Sequence, residues 1–401
     1  MRSPALRFNE FSYDWQTIEL NDITNKITDG THGTPKPIAK GVPYLTAIHV
    51  KDGVIDYENC YYLPEEEHKK IYKRCNPEKD DLLLVNIGAG TATCALNTVD
   101  YEFSLKNVAL IKPNRQVVYP QFLAQYQRKI SASLFNQLTS GGAQPFLSLN
   151  QIGKIKITLP SLIEQTKIAN FLRVVDERIT LLTQKSELLA QYKKGVMQQI
   201  FSQELRFKDD DGQDFPEWEE CLLNDALIKN SSKNKCGEFT LVQSISNKHG
   251  FINQDELFED RVIASKDLSN YYVIKKGAFA YNPSRIDVGS LAYKSDDLIS
   301  VVSPLYVSFY AKPHLVSDTF LLNWFESGSF KNQMSSSFEG SVRNTLSYDS
   351  LSKITINLPC VKEQIKIANF LTTIDDKLTH TQNQLAAAKQ YKQGLLQQMF
   401  V

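Results

Sequence analysis

The 401 residues carry 45 Lys and Arg against 45 Asp and Glu, and 42% of them are hydrophobic. A chain of this length holds two or three domains with cores of their own, and the composition excludes collagen-like, mucin-like and wholly disordered classes. The formal net charge of zero argues against a generally basic nucleic-acid coat but leaves room for a local basic groove.

The opening segment MRSPALRFNEFSYDW lacks an apolar signal core, and no stretch approaches ~18 uninterrupted apolar residues. Six cysteines (Cys60, Cys75, Cys94, Cys221, Cys236, Cys360) lie scattered, with no C-x-x-C pair and no His-Cys cluster at zinc-binding spacing. They read as reduced, mostly buried thiols. The expectation is a soluble cytoplasmic protein with no membrane segment and no metal site.

In chain order, GVPYLTAIHVKDGVI (41–55), DDLLLVNIGAGTATCALN (80–97) and NVALIKPN (107–114) are strand-like. YPQFLAQYQRKISASLFNQL (119–138) turns helical, and SLNQIGKIKITLP (148–160) alternates like a strand. A segment without proline from 161 to 201 then reads as one long helix. The order repeats: LVQSISNKHGFI (241–252), KKGAFAYNPSRIDVGSLAY (275–293), PLYVSFYAKP (304–313), helical DTFLLNWFESGSFKNQM (318–334), strand-like SYDSLSKITINLP (347–359) and a second long helix.

The repeat is also literal. LPSLIEQTKIANFL (159–172) recurs as LPCVKEQIKIANFL (358–371), an offset of 199, and QYKKGVMQQIF recurs as QYKQGLLQQMF. Between 159–201 and 358–400, 19 of 43 positions are identical, and Leu6-Arg7-Phe8 returns as Leu205-Arg206-Phe207. Pro160 and Pro359 suit strand-to-helix junctions. Ser161 with Glu164 fits a capping box, of which Cys360 with Glu363 keeps half. Leu172, Val175, Ile179, Leu182, Leu189 and Val196 follow a 3-4 spacing, as do Leu371, Ile374, Leu378, Leu385, Ala388 and Leu395. Ser186, Lys193, Thr381 and Lys392 are polar gaps in these seams. Two such seams have an obvious mate in each other, and 40 residues make a rod of about 60 Å.

Enzyme signatures are weak. Gly88-Ala89-Gly90 lacks the third glycine of a dinucleotide loop and runs into turn signals, which fits a hairpin. Asn282-Pro283-Ser284-Arg285 lacks the second proline and the stacking aromatic of an amino-methyltransferase motif. There is no Walker A sequence and no Pro-Asp dipeptide. The chain is not expected to be a catalyst.

Loops rich in Gly, Thr, Ser, Asn and Arg are better candidates, because these side chains bond phosphates and base edges. Three sets stand out: residues 28–36; residues 140–145 with their counterpart 340–344; and Tyr281, Asn282, Ser284 and Arg285. Residues 1–160 carry a net +2, 161–204 +1, 205–357 −5 and 358–401 +2. Much of the acidic excess sits in DDDGQDFPEWEE (209–220) and DELFED (255–260), which could lie away from any groove. Weak DNA binding by the lone chain is expected, with partners completing the basic surface.

The two copies of Leu-Pro…Glu-Gln…Ile-Ala…Leu…Asp, each after a variable region, resemble the specificity subunit of Type I restriction-modification systems along the whole chain. ITDGTHGTP (27–35) and AYNPSRIDVGS (280–290) are similar to segments of such subunits' target recognition domains. The resemblance implies an α+β protein with two target recognition domains (1–158 and 205–357), a central helical repeat (159–204) and a C-terminal one (358–401). The long helices would pair antiparallel as a coiled coil, giving pseudo-two-fold, circular symmetry. It implies a non-catalytic reader of a split, asymmetric DNA site, one half per domain, with the helices setting the gap. Two S-adenosylmethionine-dependent modification subunits and two ATP-dependent restriction subunits, with Mg, would act on what this chain reads. Base contact is carried onto Thr31, His32, Thr34, Lys36 and Gln144 in the first domain. In the second it is carried onto Tyr281, Asn282, Ser284, Arg285, Arg343 and Asn344. The rival reading is a coiled-coil interaction scaffold without DNA specificity.

Overall fold

The computed structural model describes residues 3–88, 90–139, 145–247, 249–254, 267–338 and 344–401. The chain forms two compact units. One joins Met1–Gln184 to Gln382–Val401, and the other is the continuous stretch Lys185–Thr381. Both draw on two long helices, Leu162–Phe201 and Val361–Met399, which run unbroken because neither contains a proline.

In the first unit, β1 (Thr24–Asp29), β2 (Leu82–Val85), β3 (Cys94–Leu96) and β4 (Val108–Pro113) form an antiparallel sheet in the order β1-β4-β2-β3. Leu82–Val85 and Val108–Ile111 are apolar and fully buried because both faces of the sheet are covered there. Leu82, Leu84, Ala109 and Ile111 pack with Trp15, Phe122 and Ile157, with Ile168 and Leu172 of the first long helix, and with Leu395 and Met399 of the second. Leu83, Val85, Val108 and Leu110 face a separate core with Leu45, Phe103 and Leu105.

The second unit repeats this. Strands β5 (Leu227–Lys229), β6 (Ala278–Tyr281), β7 (Leu291–Tyr293) and β8 (Val307–Ala311) pair antiparallel in the order β5-β8-β6-β7. Phe279, Tyr281 and Phe309 pack with Phe320 and Trp324, with Ile367 and Leu371 of the second long helix, and with Val196 and Ile200 of the first. In each unit, then, the start of one long helix lies beside the end of the other, an antiparallel pairing.

β2 and β3 pair antiparallel as a hairpin, as the turn residues between them suggested. The segments at 148–160 and 347–359 are not strands throughout. Ser148 Oγ accepts from the Gln151 amide at 3.2 Å and starts a short helix, Leu149–Gly153, so the strand is only Lys156–Leu159. Ser347 does the same ahead of Thr355–Leu358. The helix expected over 318–334 breaks at Ser327, whose hydroxyl caps a new helix from Gly328. Of the cysteines, Cys60, Cys75 and Cys94 are buried, Cys221 and Cys360 are half-buried and Cys236 is exposed.

The identities between the halves become joints. Arg7 Nε and NH2 donate to the two Glu164 oxygens at 2.7 and 2.9 Å, and Arg206 grips Glu363 at 3.3 and 3.0 Å. The capping box expected at Ser161 therefore gives way: the Glu164 carboxylate turns to Arg7, and its amide lies 3.5 Å from Ser161 Oγ. Gln165, fully buried, accepts from the Tyr119 amide and donates to the Val117 and Pro160 carbonyls. Gln364 repeats all three bonds with Ser317, Leu315 and Pro359. Each Glu-Gln pair thus clamps a long helix to its own domain. The polar gaps Lys193 and Lys392 bind Asp375 and Asp176, respectively.

Candidate nucleic-acid interface

In the first domain, the loop after β1 is pinned to the short strand Ser104–Lys106. Gly30 must be glycine here, since a Cβ would stand 2.0 Å from the Leu105 carbonyl oxygen. The Thr31 amide donates to that same oxygen at 2.8 Å, and Thr31 Oγ1 accepts from the Gly33 amide at 3.1 Å. Beyond this anchor His32, Thr34 and Lys36 are exposed, while Thr31 is half-buried. Lys106 Nζ donates to Thr34 Oγ1 at 2.9 Å. His32 Nε2 donates to Asp29 Oδ2 at 2.7 Å, because a carboxylate only accepts.

Gln144 lies outside the described residues, as does Arg343. The chain that follows each is held alike in the two domains. The Leu147 amide donates to the Asn86 carbonyl at 2.8 Å, and the Leu346 amide to the Pro283 carbonyl at 3.0 Å. The described chain after the second loop set is therefore held just beyond the ends of β2 and β6. A further link, through the Asn107 amide to the Thr31 carbonyl and the Asn86 amide to the Asn107 carbonyl, ties the first set to the same place in domain 1.

In the second domain, Ser284 and Arg285 are exposed, Asn282 is half-buried and Asn344 is exposed. Asn282 Oδ1 accepts from the Ser284 amide at 3.0 Å, an Asx turn that presents both following side chains. Gly289, at φ +90°, lets the chain reverse so that the Ser290 amide closes on the Arg285 carbonyl. Tyr281 is a correction: it is fully buried, and its hydroxyl donates to the Leu346 carbonyl at 3.0 Å. It holds the loops together and cannot reach a base.

Two residues that sequence reasoning missed belong to these surfaces. Arg74 donates to Asp29 and to the Gly30 carbonyl. Lys229, exposed at the end of β5, lies 5.0 Å over the Tyr348 ring in a cleft of about 300 Å³ that also touches Pro283 and Thr345. Neither has a local signal, since each meets its partner far along the chain.

The acidic run 209–220 is engaged at the start of the second long helix and its flank: Asp210 binds Lys366, Asp214 binds Lys208 and Glu217 binds Arg206. DELFED lies outside the described residues. Seam residues Leu172, Leu371, Ile374 and Leu395 are buried, and Val175, Ile179, Leu182, Leu189, Leu378 and Leu385 are half-buried. No helix among the described residues is long and apolar enough to cross a membrane, and none of them form a group of three His, Cys, Asp or Glu that could hold a metal ion.

Two copies of one sheet, each ending in polar loops of different chemistry, define a duplicated recognition protein. The model of the Type I restriction modification DNA specificity domain matches the chain twice, over residues 13–191 and 222–390, and the protein belongs to this family. Its part is DNA recognition without catalysis, in association with DNA and the other subunits of such a system. Among its relatives is the MjaVIII Type I specificity subunit of Methanocaldococcus jannaschii, 25% identical over 385 residues, covering 90% of this chain and 86% of that one. A solved Type I S subunit from M. genitalium has a TM-score of 0.62 at 14% identity, covering 100% of this chain and 99% of the other. A further chain, from work on complex assembly and conformational transition of a type I system, gives 0.52 at 16% identity, covering 96% of each. These two share the fold.

Proposed function

We propose that this chain reads a bipartite, asymmetric DNA site, one half per domain, and that the helical pair sets the unspecified gap. What it reads directs adenine methylation by two modification subunits using S-adenosylmethionine and cleavage by two restriction subunits using ATP and Mg, with no cofactor held by this chain. The observation that carries this reading is the pairing of a repeated frame with unrepeated loops. Sheet order, Arg-Glu joint and Gln clamp recur, whereas His32 and Thr34 in the loop after β1 are answered by Ser232 and Asn234 after β5, and Ile87 and Gly88 after β2 by Pro283 and Ser284 after β6. An equal frame with unequal readers suits unequal half-sites.

Two equal partners are supported by the identities that the joints leave over. Gln191, Tyr192, Gly195, Gln198 and Gln199 share one helix face by their spacing, and each is exposed. Gln390, Tyr391, Gly394, Gln397 and Gln398 repeat them, with Tyr192 and Tyr391 53% and 56% exposed. A Cβ at Gly195 or Gly394 would meet nothing within 4 Å, so no neighbour in the chain requires a glycine there. Mid-helix glycine costs roughly 1 kcal/mol relative to alanine. Twice keeping it beside an exposed tyrosine suits close approach by the same partner at two sites.

The test is single-molecule sequencing of a host genome with the modification partner expressed. Arg285→Ala should weaken methylation through one half-site and leave assembly intact. Failure to assemble would mark Arg285 as structural, and a genome whose methylation is unchanged when the gene is deleted would favour the scaffold.

A further inference from the structure

The second domain carries a hairpin, Gln243–Ser246 with Gly250–Asn253, in which Ser246 pairs with Gly250 and residues 247–249 form the tip. Gly250, at φ +66°, closes the turn in the left-handed conformation that glycine supplies. Asn247 Nδ2 donates to the Val288 carbonyl at 2.7 Å, which fastens the tip to the β6–β7 connection that also presents Ser284 and Arg285. Asn247 and His249 are both exposed, and Lys248 between them lies outside the described residues.

The base of the hairpin is fixed. Ile245 is buried with Ala278 and Ala280 of β6 and Ala292 of β7. Lys294, fully buried just beyond β7, donates from Nζ to Gln243 Oε1 at 2.9 Å and pairs with Asp296 at 2.9 Å. A buried ammonium needs such partners, and here one of them is on the hairpin, so the two are tied together. Gln243 in turn donates to Asn253 Oδ1 at 3.1 Å, and Gln254 to Ser244 Oγ at 3.1 Å.

The first domain has a hairpin in the same place with different chemistry. Val50–Lys51 pairs with Val54–Ile55, and the Gly53 amide donates to the carbonyl of Cys94, the first residue of β3, at 2.9 Å. Its tip holds Asp52, whose two oxygens accept from Arg128 at 2.7 and 3.0 Å. A carboxylate only accepts, and it repels phosphate. Asparagine and the neutral imidazole each offer a donor and an acceptor. Base edges present both kinds of group, whereas phosphate oxygens only accept. Residues 243–254 contain no Asp or Glu, in a stretch of chain whose net charge is −5.

We propose that the tip of this hairpin reads bases in the half-site of the second domain, through Asn247 and His249, beside Arg285. The assignment rests on the DNA-reading function above and adds to it a reading element whose chemistry the first domain does not repeat.

The experiment expresses the full chain with its modification partner and maps genome-wide adenine methylation for the parent, Asn247→Ala, His249→Ala and Arg285→Ala. Arg285→Ala marks the half-site of the second domain, and the other half-site is the internal control. Asn247→Ala and His249→Ala should each make a position of the marked half-site degenerate. Base preference there should fall about 2- to 12-fold, with the other half-site and the gap unchanged. Softening of the other half-site overturns the proposal, as does a uniform fall at every site, which marks a phosphate contact. Loss of all methylation in both variants overturns it too, making the tip a brace of the domain. A parent that directs no split motif overturns the DNA-reading function and this assignment with it. An intact parent motif that neither substitution alters overturns this assignment alone.

Discussion

The Lys193 ammonium lies 2.8 Å from the Asp375 carboxylate, and Lys392 with Asp176 forms the same pair with the helices exchanged. Lysine from one copy and aspartate from the other meet in each unit. The surroundings differ. Lys193 also reaches Glu326 at 3.0 Å, whereas Asp176 is shared between Lys392 and Arg128. One unit therefore has a lysine with two carboxylates, and the other a carboxylate with two cations.

Removing Asp176 strands more charge than removing Asp375. Lys392 is 7% exposed and would keep Arg128 as a neighbour, while Lys193 would retain Glu326. Asp176→Asn should cost about 1–3 kcal/mol, between the exposed and buried limits for ion pairs, and Asp375→Asn distinctly less. Urea denaturation of both variants measures this, and Asp176→Asn combined with Lys392→Met should recover part of the loss.

The same asymmetry predicts opposite responses to alkali. Burial is the largest influence on both lysines and lowers both; at Lys193 the bonds to Asp375 and Glu326 outweigh it and raise the pKa. At Lys392 burial, helped by Arg128, prevails and lowers it. A raised lysine stabilises the fold below its ordinary pKa and loses that contribution as pH climbs through the raised value. A lowered lysine leaves the native state holding fewer protons than the unfolded one, so stability rises with pH up to the ordinary range. Above about pH 10.4 the stability advantage of the parent over Lys193→Met should shrink, and below about that pH its standing against Lys392→Met should improve as pH rises. Parallel trends would contradict the assignment.

Gly195→Leu and Gly394→Leu should each leave the isolated chain as stable as the parent or more so, since glycine is a poor helix former and nothing crowds either site. Each should lower the number of modification subunits bound from two to one, read by native mass spectrometry, and the double variant should bind none. Full occupancy in the double variant would remove this face from the partner interface.

Inserting four residues beside Gln184 should lengthen the gap in the methylated motif while both half-sites keep their bases. The site lies in the first long helix, in a stretch away from the Glu-Gln clamps at 164–165 and 363–364. An unchanged gap would show that the helices do not measure it.

Much of this architecture was legible because its signals are local or repeated. Self-similarity at 199 residues located the long helices, and the apolar runs at 82–85 and 108–113 located the sheet. What could not be read depended on distant partners. Tyr281 stands beside loop residues and looked like one of them, but its burial is decided by Leu346, 65 residues on. Arg74 meets Asp29 across 45 residues. Lys193 and Lys392 interrupt an apolar seam in the sequence; only the opposing helix supplies the aspartates that explain them. Glu164 fits a local cap and is captured by Arg7 instead, 157 residues away.

The division of the chain has a consequence for synthesis. The unit Lys185–Thr381 is an unbroken stretch, and all of its core is available once residue 381 has left the ribosome. The other unit begins first but lacks Leu395, Met399 and Phe400, which pack against Phe122, Ile168 and Leu172. The usual amino-terminal-first order of domain maturation is therefore inverted. The earlier-made domain waits with an open apolar groove until the last turns of the second long helix arrive, and a ribosome stalled between 381 and 395 would hold a nascent chain with its second domain closed and its first unsealed.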